Sequence, residues 1–163
     1  RDSAYRLVGS EMCIRDRYAA VLGSDCPFFI RNKPVFATGR GEIMTEISLN
    51  LKGLTLVLVK PSVEVATAAA FRNIVPQKPE VSLSELIKLP VTEWRDKIVN
   101  QFEFSVFKQY PEIGIVKEQL YEQGAIYASM SGSGSCVFAL FIELPADLDK
   151  IFPSSYLTFS QQI

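Results

Sequence analysis

Hydrophobic and polar positions fall into blocks along the chain that predict short strands interleaved with helices. Residues 54–59 form a continuous apolar run that stops at Pro61, which predicts a buried strand. Two further apolar runs, residues 125–130 and 136–142, flank a stretch rich in serine and glycine, and this arrangement predicts a β-hairpin. The order of strand, helices, hairpin, helix and strand predicts an α+β fold, in which helices pack on an antiparallel sheet.

N-cap residues predict two helices after the first strand. Ser62 predicts a helix that continues to Phe71, because a serine hydroxyl can accept hydrogen bonds from the free amides of a first turn. Ser82 and Glu85 have the spacing of a capping box and predict a second helix start. Prolines in the connector separate these two helices.

The longest predicted helices lie immediately before the hairpin. Thr92 predicts the start of one helix. Its apolar positions recur every four residues, at Trp94, Ile98, Phe102 and Val106. Pro111 predicts the first turn of the next helix, and Gly124 predicts its end. After the hairpin, residues 145–152 predict a short helix and residues 156–159 an edge strand.

The N-terminal part of the chain predicts a helix end followed by a small meander. Residues 18–22 have a helical apolar spacing, and Gly23 suits the left-handed position that ends a helix. Asp25 therefore follows a helix C-terminus, where the negative end of the helix dipole is unfavourable for a carboxylate. Three short strands are predicted after it, at residues 28–30, 35–38 and 42–47.

The composition excludes several classes of protein. Hydrophobic residues make up 48% of the 163 positions and the net charge is −1, which is typical of a globular domain without a nucleic-acid or membrane partner. No apolar run approaches the roughly 20 residues that a membrane span requires. The 3 cysteines are too few for a disulfide framework or a metal cluster, and they favour a cytoplasmic location. No sequence pattern indicates an oligomeric state.

Histidine is absent from the sequence, and this limits the chemistry that the chain can perform. Without an imidazole the chain cannot build a Ser-His-Asp site, a Cys-His site or a zinc site that contains histidine. Acid–base work must fall to carboxylates, lysine or tyrosine. Asp25 is one candidate, and its alternative is a carboxylate that only stabilises a turn. Ser24 and Cys26 are neighbouring nucleophiles, but the sequence places no base beside them.

The serine–glycine stretch in the predicted hairpin is the second candidate for chemistry. Ser131, Gly132, Ser133 and Gly134 alternate hydroxyl side chains with glycines. Such a segment can turn tightly and present N–H and O–H donors to an anion, of which phosphate is the first candidate. A plain hairpin turn without a ligand is the alternative. The stretch matches neither the Rossmann fingerprint nor the P-loop, because it lacks a third glycine and a Gly-Lys-Ser/Thr sequence.

Four motifs together resemble the GHMP kinase family, which is named after galactokinase, homoserine kinase, mevalonate kinase and phosphomevalonate kinase. They are LGSDCPFF at residues 22–29, G-x-G-E at 39–42, V-x-V-K-P at 57–61 and SMSGSGS at 129–135. The resemblance extends from about residue 18 to the C-terminus. Its Gly-Ser-Asp-x-Pro-Phe-Phe run is similar to the branch that phosphorylates the 2-hydroxyl of a diphosphocytidyl methylerythritol in non-mevalonate isoprenoid synthesis.

The resemblance implies roles for both candidates. Asp25 matches the catalytic aspartate of the family, which takes the proton from the substrate hydroxyl as that hydroxyl attacks the γ-phosphoryl group of ATP. Ser131, Gly132, Ser133 and Gly134 match the third motif, which lines the active site beside the phosphates. ATP and Mg²⁺ are implied as cofactors and a small molecule as the partner, although no metal ligand is visible in the sequence.

The resemblance also implies a domain organisation. Residues 1–17 lie before the resemblance, and their run VGSEMCIRDR resembles a translated sequencing-adapter tail, so they are expected to be a non-native tail. An ordinary mobile terminus is the alternative. Residues 18–50 correspond to the end of the N-terminal, ATP-binding domain, and residues 51–163 to a ferredoxin-like C-terminal domain. Two alternatives remain: another small-molecule kinase of the family, or a ferredoxin-like binding module without catalytic activity.

We expect the polypeptide as written to bind ATP weakly or not at all and to lack turnover. The family's first two motifs, with their active-site lysine and glycine-rich phosphate loop, are not found before residue 18. ATP-dependent phosphorylation of the diphosphocytidyl substrate by the purified chain would contradict this expectation.

Overall fold

A computed structural model describes residues 14, 18–19, 21–23, 25–41, 43–72, 74 and 79–163. Almost all of the predicted tail lies outside the described residues, as do Ser24, Glu42 and most of the proline-containing connector. The chain divides into two compact units, Arg1–Asn50 and Leu51–Ile163. Among the described residues, no helix is both long enough and apolar enough to span a membrane. The assignment of the two units to the two domains of a GHMP kinase stays a prediction.

The described part of the first unit includes helical residues at 18–19 and 21–22, a further short helix and a two-stranded sheet. Helix α1 is Cys26–Arg31, and strands β1 (Val35–Thr38) and β2 (Ile43–Glu46) pair antiparallel. The turn between the strands places Gly39 and Gly41 at φ values of 70° and 103°, which other residues rarely adopt.

Residues 28–30 are helical, so the predicted buried strand is wrong. Pro27 lies in the first turn of α1, where its missing N–H costs nothing and its fixed φ suits a helix. Asn32 ends the helix in the left-handed conformation and donates its N–H to the carbonyl of Phe28 at 2.8 Å. Gly23 does not adopt the predicted left-handed φ. Phe29 is 74% exposed, so the apolar run reflects a helix surface rather than a buried strand.

The second unit is a four-stranded antiparallel sheet with helices. Its strands are β3 (Thr55–Lys60), β4 (Tyr127–Met130), β5 (Val137–Phe141) and β6 (Leu157–Gln162), in the spatial order β4-β5-β3-β6. Its helices are α2 (Thr67–Arg72), α3 (Leu83–Leu86), α4 (Phe102–Gln109), α5 (Pro111–Glu122) and α6 (Leu148–Ile151), with a 3₁₀ turn at Val91–Glu93. The β-α-β-β-α-β sequence and this strand order are ferredoxin-like, and they confirm the predicted α+β class.

The core lies between one face of this sheet and helices α4 and α5. Strand residues of this face are fully buried, namely Val57, Val59, Ala128, Met130, Val137, Ala139 and Phe141. Ile113, Val116 and Leu120 of α5 pack against them and are 0–1% exposed, as their helical spacing predicts. Gly124 ends α5 at φ 93°, and the N–H of Ala125 reaches the carbonyl of Leu120 at 3.0 Å, which completes a Schellman motif.

The helix predicted from Ser62 begins five residues later, at Thr67. The Ser62 hydroxyl donates to the carbonyl of Ser155 at 2.9 Å and therefore does not cap a helix. The intervening segment is irregular, and its Val63 and Val65 side chains pack on the core. Tertiary contacts thus override the local capping signal. At α3 the predicted cap is confirmed, because the Ser82 hydroxyl accepts from the Ser84 N–H at 3.3 Å.

Aromatic residues stabilise the hairpin on the other face of the sheet. The Tyr127 ring lies edge to face with Trp94 and Phe138, at centroid distances of 5.5 and 5.8 Å. The Tyr127 hydroxyl donates to the carbonyl of Ile98 at 3.0 Å. Burial raises the pKa of Tyr127 to about 12, so this phenol remains a neutral donor at physiological pH.

Two isoleucines on α5 test the position of the core. Ile113 is 0% exposed and Ile115 is 56% exposed. We expect Ile113→Ala to lower the free energy of unfolding by about 2–5 kcal/mol, because it leaves a cavity. The matched variant Ile115→Ala should change it by less than about 0.5 kcal/mol. Urea denaturation measures both, and equal effects would contradict this core.

Candidate functional site

The serine–glycine stretch forms the loop of the β4–β5 hairpin, residues 131–136, and is called here the Ser-Gly loop. The Ser131 N–H donates to the carbonyl of Cys136 at 2.8 Å and closes the loop. The Gly134 N–H donates to the carbonyl of Ser131 at 3.0 Å. Gly132 and Gly134 have φ values of 55° and 94°, so the tight turn depends on both glycines. The four predicted loop residues therefore lie together in one turn.

The hydroxyls of the loop are not equally available. Ser135 donates to the carbonyl of Val63 at 2.6 Å, and Ser133 shares a 3.2 Å hydrogen bond with Thr67. Within the described part of the chain, the exposed Ser131 hydroxyl has no such partner. Of the three loop hydroxyls, Ser131, Ser133 and Ser135, the last two therefore stabilise the loop. Ser135 contacts the segment that precedes α2, and Ser133 contacts α2 itself.

The remaining donors of the loop are backbone amides. The N–H groups of Gly132, Ser133 and Ser135 make no hydrogen bond to any described residue. Successive amides in a glycine-containing turn form a concave donor set of the kind that binds phosphate oxygens. These three amides are therefore available to bind an anion.

Lys60 contributes positive charge at the same end of the hairpin. It is the last residue of β3, which pairs with β5, and its charge acts on the Cys136 thiol. Burial raises the pKa of that thiol, and the charge of Lys60 opposes this increase. A cation at this end of the hairpin favours an anionic ligand. Among the described residues, no His, Cys, Asp or Glu cluster could hold a metal ion.

Side chains from α4 and α5 complete the hydrogen bonds of edge strand β4. The Tyr121 hydroxyl accepts from the Ala128 N–H at 3.0 Å and donates to the Ala128 carbonyl at 3.1 Å. A carboxylate oxygen of Glu103 accepts from the Met130 N–H at 2.7 Å. These contacts leave no open edge beside the loop and fix the strand from which the loop begins.

Glu103 is a buried acid that sequence reasoning missed. It is 4% exposed, and its second oxygen forms an ion pair with Lys117 at 2.6 Å. Its first oxygen also accepts from the Ser129 hydroxyl at 3.0 Å. Every oxygen is paired, as a buried charge requires. An acid in the first turn of a helix ordinarily indicates only a favourable dipole interaction, so no sequence signal distinguished it.

Asn100 is the second residue that sequence reasoning missed. Its side-chain amide donates to the carbonyls of Met130 at 2.7 Å and Gly132 at 2.8 Å. Its side-chain oxygen accepts from the Phe102 N–H at 3.0 Å, at the start of α4.

The single long helix predicted from Thr92 is wrong, because residues 94–101 are not helical and Asn100 lies in this break. The chain instead forms a 3₁₀ turn, Val91–Glu93, and then the separate helix α4. Asparagine disfavours helix interiors and favours N-terminal caps, and this was the available signal. In the sequence, the apolar residues at four-residue spacing indicated a continuous helix more strongly than Asn100 indicated a break.

Asp25 lies in the first unit, directly before α1. It is exposed and occupies the N-cap position of that helix without making a capping hydrogen bond. Residues 21–22 are helical and the Gly23 N–H donates to the carbonyl of Ala19 at 3.1 Å, so the predicted helix end before Asp25 is confirmed. Asp25 also lies at the positive end of the following helix, which is favourable for a carboxylate. It borders a groove of about 280 Å³. The other residues of this groove are Phe28, Phe29, Val35, Ala37, Gly41 and Met44.

The structure brings the four loop residues together, but Asp25 belongs to the other compact unit. The pairing of Asp25 with the loop therefore stays a prediction. Cys26, the neighbouring nucleophile considered above, is a free, half-buried thiol in α1.

Comparison with known families identifies the second unit. Residues 83–152 match the family described as GHMP kinases C terminal. The chain carries a GHMP kinase C-terminal domain. The matched residues include the Ser-Gly loop, Asn100 and Glu103, whereas Asp25 lies before them.

Two relatives of this GHMP kinase domain share one name. The chain is 57% identical over 124 residues to a protein of Bacteroides thetaiotaomicron and 55% identical over 123 residues to one of Parabacteroides distasonis. Both are named 4-diphosphocytidyl-2-C-methyl-D-erythritol kinase. The matches cover 76% of this chain but only 45% of each relative.

A solved structure agrees with the same assignment. The chain is similar to the crystal structure of a 4-(cytidine 5'-diphospho)-2C-methyl-D-erythritol kinase, with a TM-score of 0.67 and 26% sequence identity. The match covers 77% of this chain and 47% of that protein. The chain therefore spans about half the length of the proteins that it resembles.

The two loop glycines provide a test of the loop conformation. A Cβ at Gly134 would lie 2.9 Å from the Met130 sulfur and 3.4 Å from Val65, whereas a Cβ at Gly132 would meet nothing within 4 Å. We expect Gly134→Ala to lower the free energy of unfolding by about 2–4 kcal/mol, from backbone strain and overpacking. Gly132→Ala should lower it by about 1 kcal/mol, from backbone strain alone. Urea unfolding measures the difference, and an equal cost at both positions would refute this geometry.

Proposed function

We propose that the protein containing this chain transfers the γ-phosphoryl group of ATP to the 2-hydroxyl of 4-diphosphocytidyl-2-C-methyl-D-erythritol. This reaction would belong to the non-mevalonate route of isoprenoid synthesis. The observation that carries the proposal is 57% identity over 124 residues to a protein named as that kinase. A cytoplasmic location is part of the proposal, and the two described cysteines, Cys26 and Cys136, are free thiols.

The Ser-Gly loop is proposed to bind the transferred phosphoryl group. Phosphoryl transfer needs donors around the equatorial oxygens more than it needs covalent chemistry from the protein. The Ser131 hydroxyl and the Gly132 and Ser133 amides supply such donors, and they fit the phosphates of ATP. When bound with ATP, Mg²⁺ would neutralise charge on the β- and γ-phosphates.

Asp25 is proposed to act as the base. Its carboxylate would accept the proton of the substrate 2-hydroxyl while the hydroxyl oxygen forms a bond to the γ-phosphorus. The bond from that phosphorus to the β–γ bridging oxygen breaks, and ADP leaves with the electron pair. The exposed carboxylate beside a groove supports this role, because substrate and base must come within hydrogen-bond distance.

Replacing Asp25 with asparagine tests the proposed role in the full-length enzyme that carries this sequence. Asparagine caps a helix as well as aspartate but cannot accept the proton as a carboxylate does. We expect Asp25→Asn to lower kcat by about 10²–10⁴-fold with little change in thermal stability. Steady-state kinetics with the diphosphocytidyl substrate would measure this.

The control variant is Asp147→Asn, which removes an exposed acid from the second unit and should leave kcat unchanged. A kcat close to wild type for Asp25→Asn would refute the catalytic role. A panel of mevalonate, homoserine and galactose separates this enzyme from other kinases of the family. If the enzyme prefers one of those alcohols, the proposed substrate is wrong. If it phosphorylates neither those alcohols nor the diphosphocytidyl substrate, the result favours a binding module without catalytic activity.

A further inference from the structure

Asn100 makes three hydrogen bonds from one short side chain to two parts of the second unit. Two go to the hairpin, to the carbonyls of Met130 and Gly132, and one comes from the Phe102 N–H of α4. Both amide hydrogens and one lone pair are therefore used. Because the residue is half-buried, its contacts are partly shielded from competing water.

The two contacts to the hairpin fix the direction of two peptide planes. In a planar trans peptide, the N–H points opposite to the C=O of the same unit. Since Asn100 holds the Met130 carbonyl, the Ser131 N–H points the other way, and it donates to Cys136 at 2.8 Å. Since it also holds the Gly132 carbonyl, the Ser133 N–H points away from Asn100. That N–H has no partner among the described residues.

We propose that Asn100 is a positioning residue, which orients the Ser133 amide toward the phosphoryl oxygens of a nucleoside triphosphate. The identification of the ligand as a phosphoryl group rests on the proposed function, whereas the argument for the orientation of the loop rests on the hydrogen bonds alone. The Ser133 and Ser135 hydroxyls hold other parts of the loop, but the side-chain contact to the Gly132 carbonyl comes from Asn100. Without Asn100, the Gly132–Ser133 peptide can rotate, because glycine at φ near 55° restricts it little.

The chemistry of the amide group separates this role from helix capping. The variant Asn100→Asp keeps an oxygen for the Phe102 N–H, but its carboxylate would place acceptor oxygens against two carbonyls. This variant therefore retains the cap and loses the loop contacts. Asn100→Ser also retains a capping oxygen and is neutral, so it replaces the aspartate variant if that one does not fold. Ser82→Ala is the control, because it removes a cap from α3 without touching the loop.

The first measurement is amide hydrogen exchange by NMR on the whole chain without ligand. In Asn100→Asp, we expect the Ser131 N–H to exchange at least about 10-fold faster than in wild type, because its bond to Cys136 is no longer enforced. The Val57 N–H, in the central strand, should keep its wild-type rate, and Ser82→Ala should leave the loop unchanged. Wild-type exchange at Ser131 in both Asn100 variants would overturn the proposal.

The second measurement is a titration of the full-length enzyme that carries this sequence, as wild type and with the same substitutions, with MgATP and with inorganic phosphate as the simpler probe. We expect the Ser133 amide resonance of wild type to shift, and the shift in Asn100→Asp to require at least about 10-fold more ligand, a loss of about 1.4 kcal/mol. If the resonance shifts equally in wild type and Asn100→Asp at the same ligand concentration, Asn100 has only a structural role, and the proposal that it positions the Ser133 amide is wrong. If the Ser133 resonance of wild type does not shift, the loop does not bind phosphate as proposed, and Asn100 cannot orient its amide toward such a ligand. The exchange measurement then still decides whether Asn100 orients the loop.

Discussion

The second unit depends on completing the hydrogen bonds of a buried edge strand. Strand β4 has a neighbour on one side only, yet all four of its residues are buried. Backbone groups in that position must find partners or incur a large desolvation cost. Tyr121 and Glu103 supply those partners from α5 and α4, and Asn100 supplies them from the segment just before α4.

This requirement links the core to the candidate site. The same three side chains that complete β4 also determine where the strand ends and the Ser-Gly loop begins. Glu103 is in turn paired with Lys117 of α5, and α5 is anchored in the core by Ile113, Val116 and Leu120. The loop is therefore positioned by the interior of the domain, as precise placement of donors around a phosphoryl group would require.

Strong local signals were read correctly from the sequence. Helix α5 begins at Pro111 and ends before Gly124, as predicted, because the backbone preferences of these two residues agree with the tertiary structure. The hairpin and the central strand also followed from their apolar runs and turn residues. The predictions failed at residues 28–30, at Ser62 and along the helix from Thr92, where an apolar pattern or a capping residue fitted more than one structure. In each case a contact distant in sequence, or a helix end set by Pro27 and Asn32, selected the observed structure.

The sequence by itself determined the α+β class, the position of the loop in a hairpin and, through its motifs, the resemblance to a kinase family. Only the tertiary structure decided which loop donors are free, since the partners of Ser133 and Ser135 lie more than sixty residues earlier in the chain. It also revealed the roles of Asn100 and Glu103, whose residue types suit many surface positions. Periodicity reports which face of an element is buried, whereas hydrogen-bond partners depend on which elements meet in space.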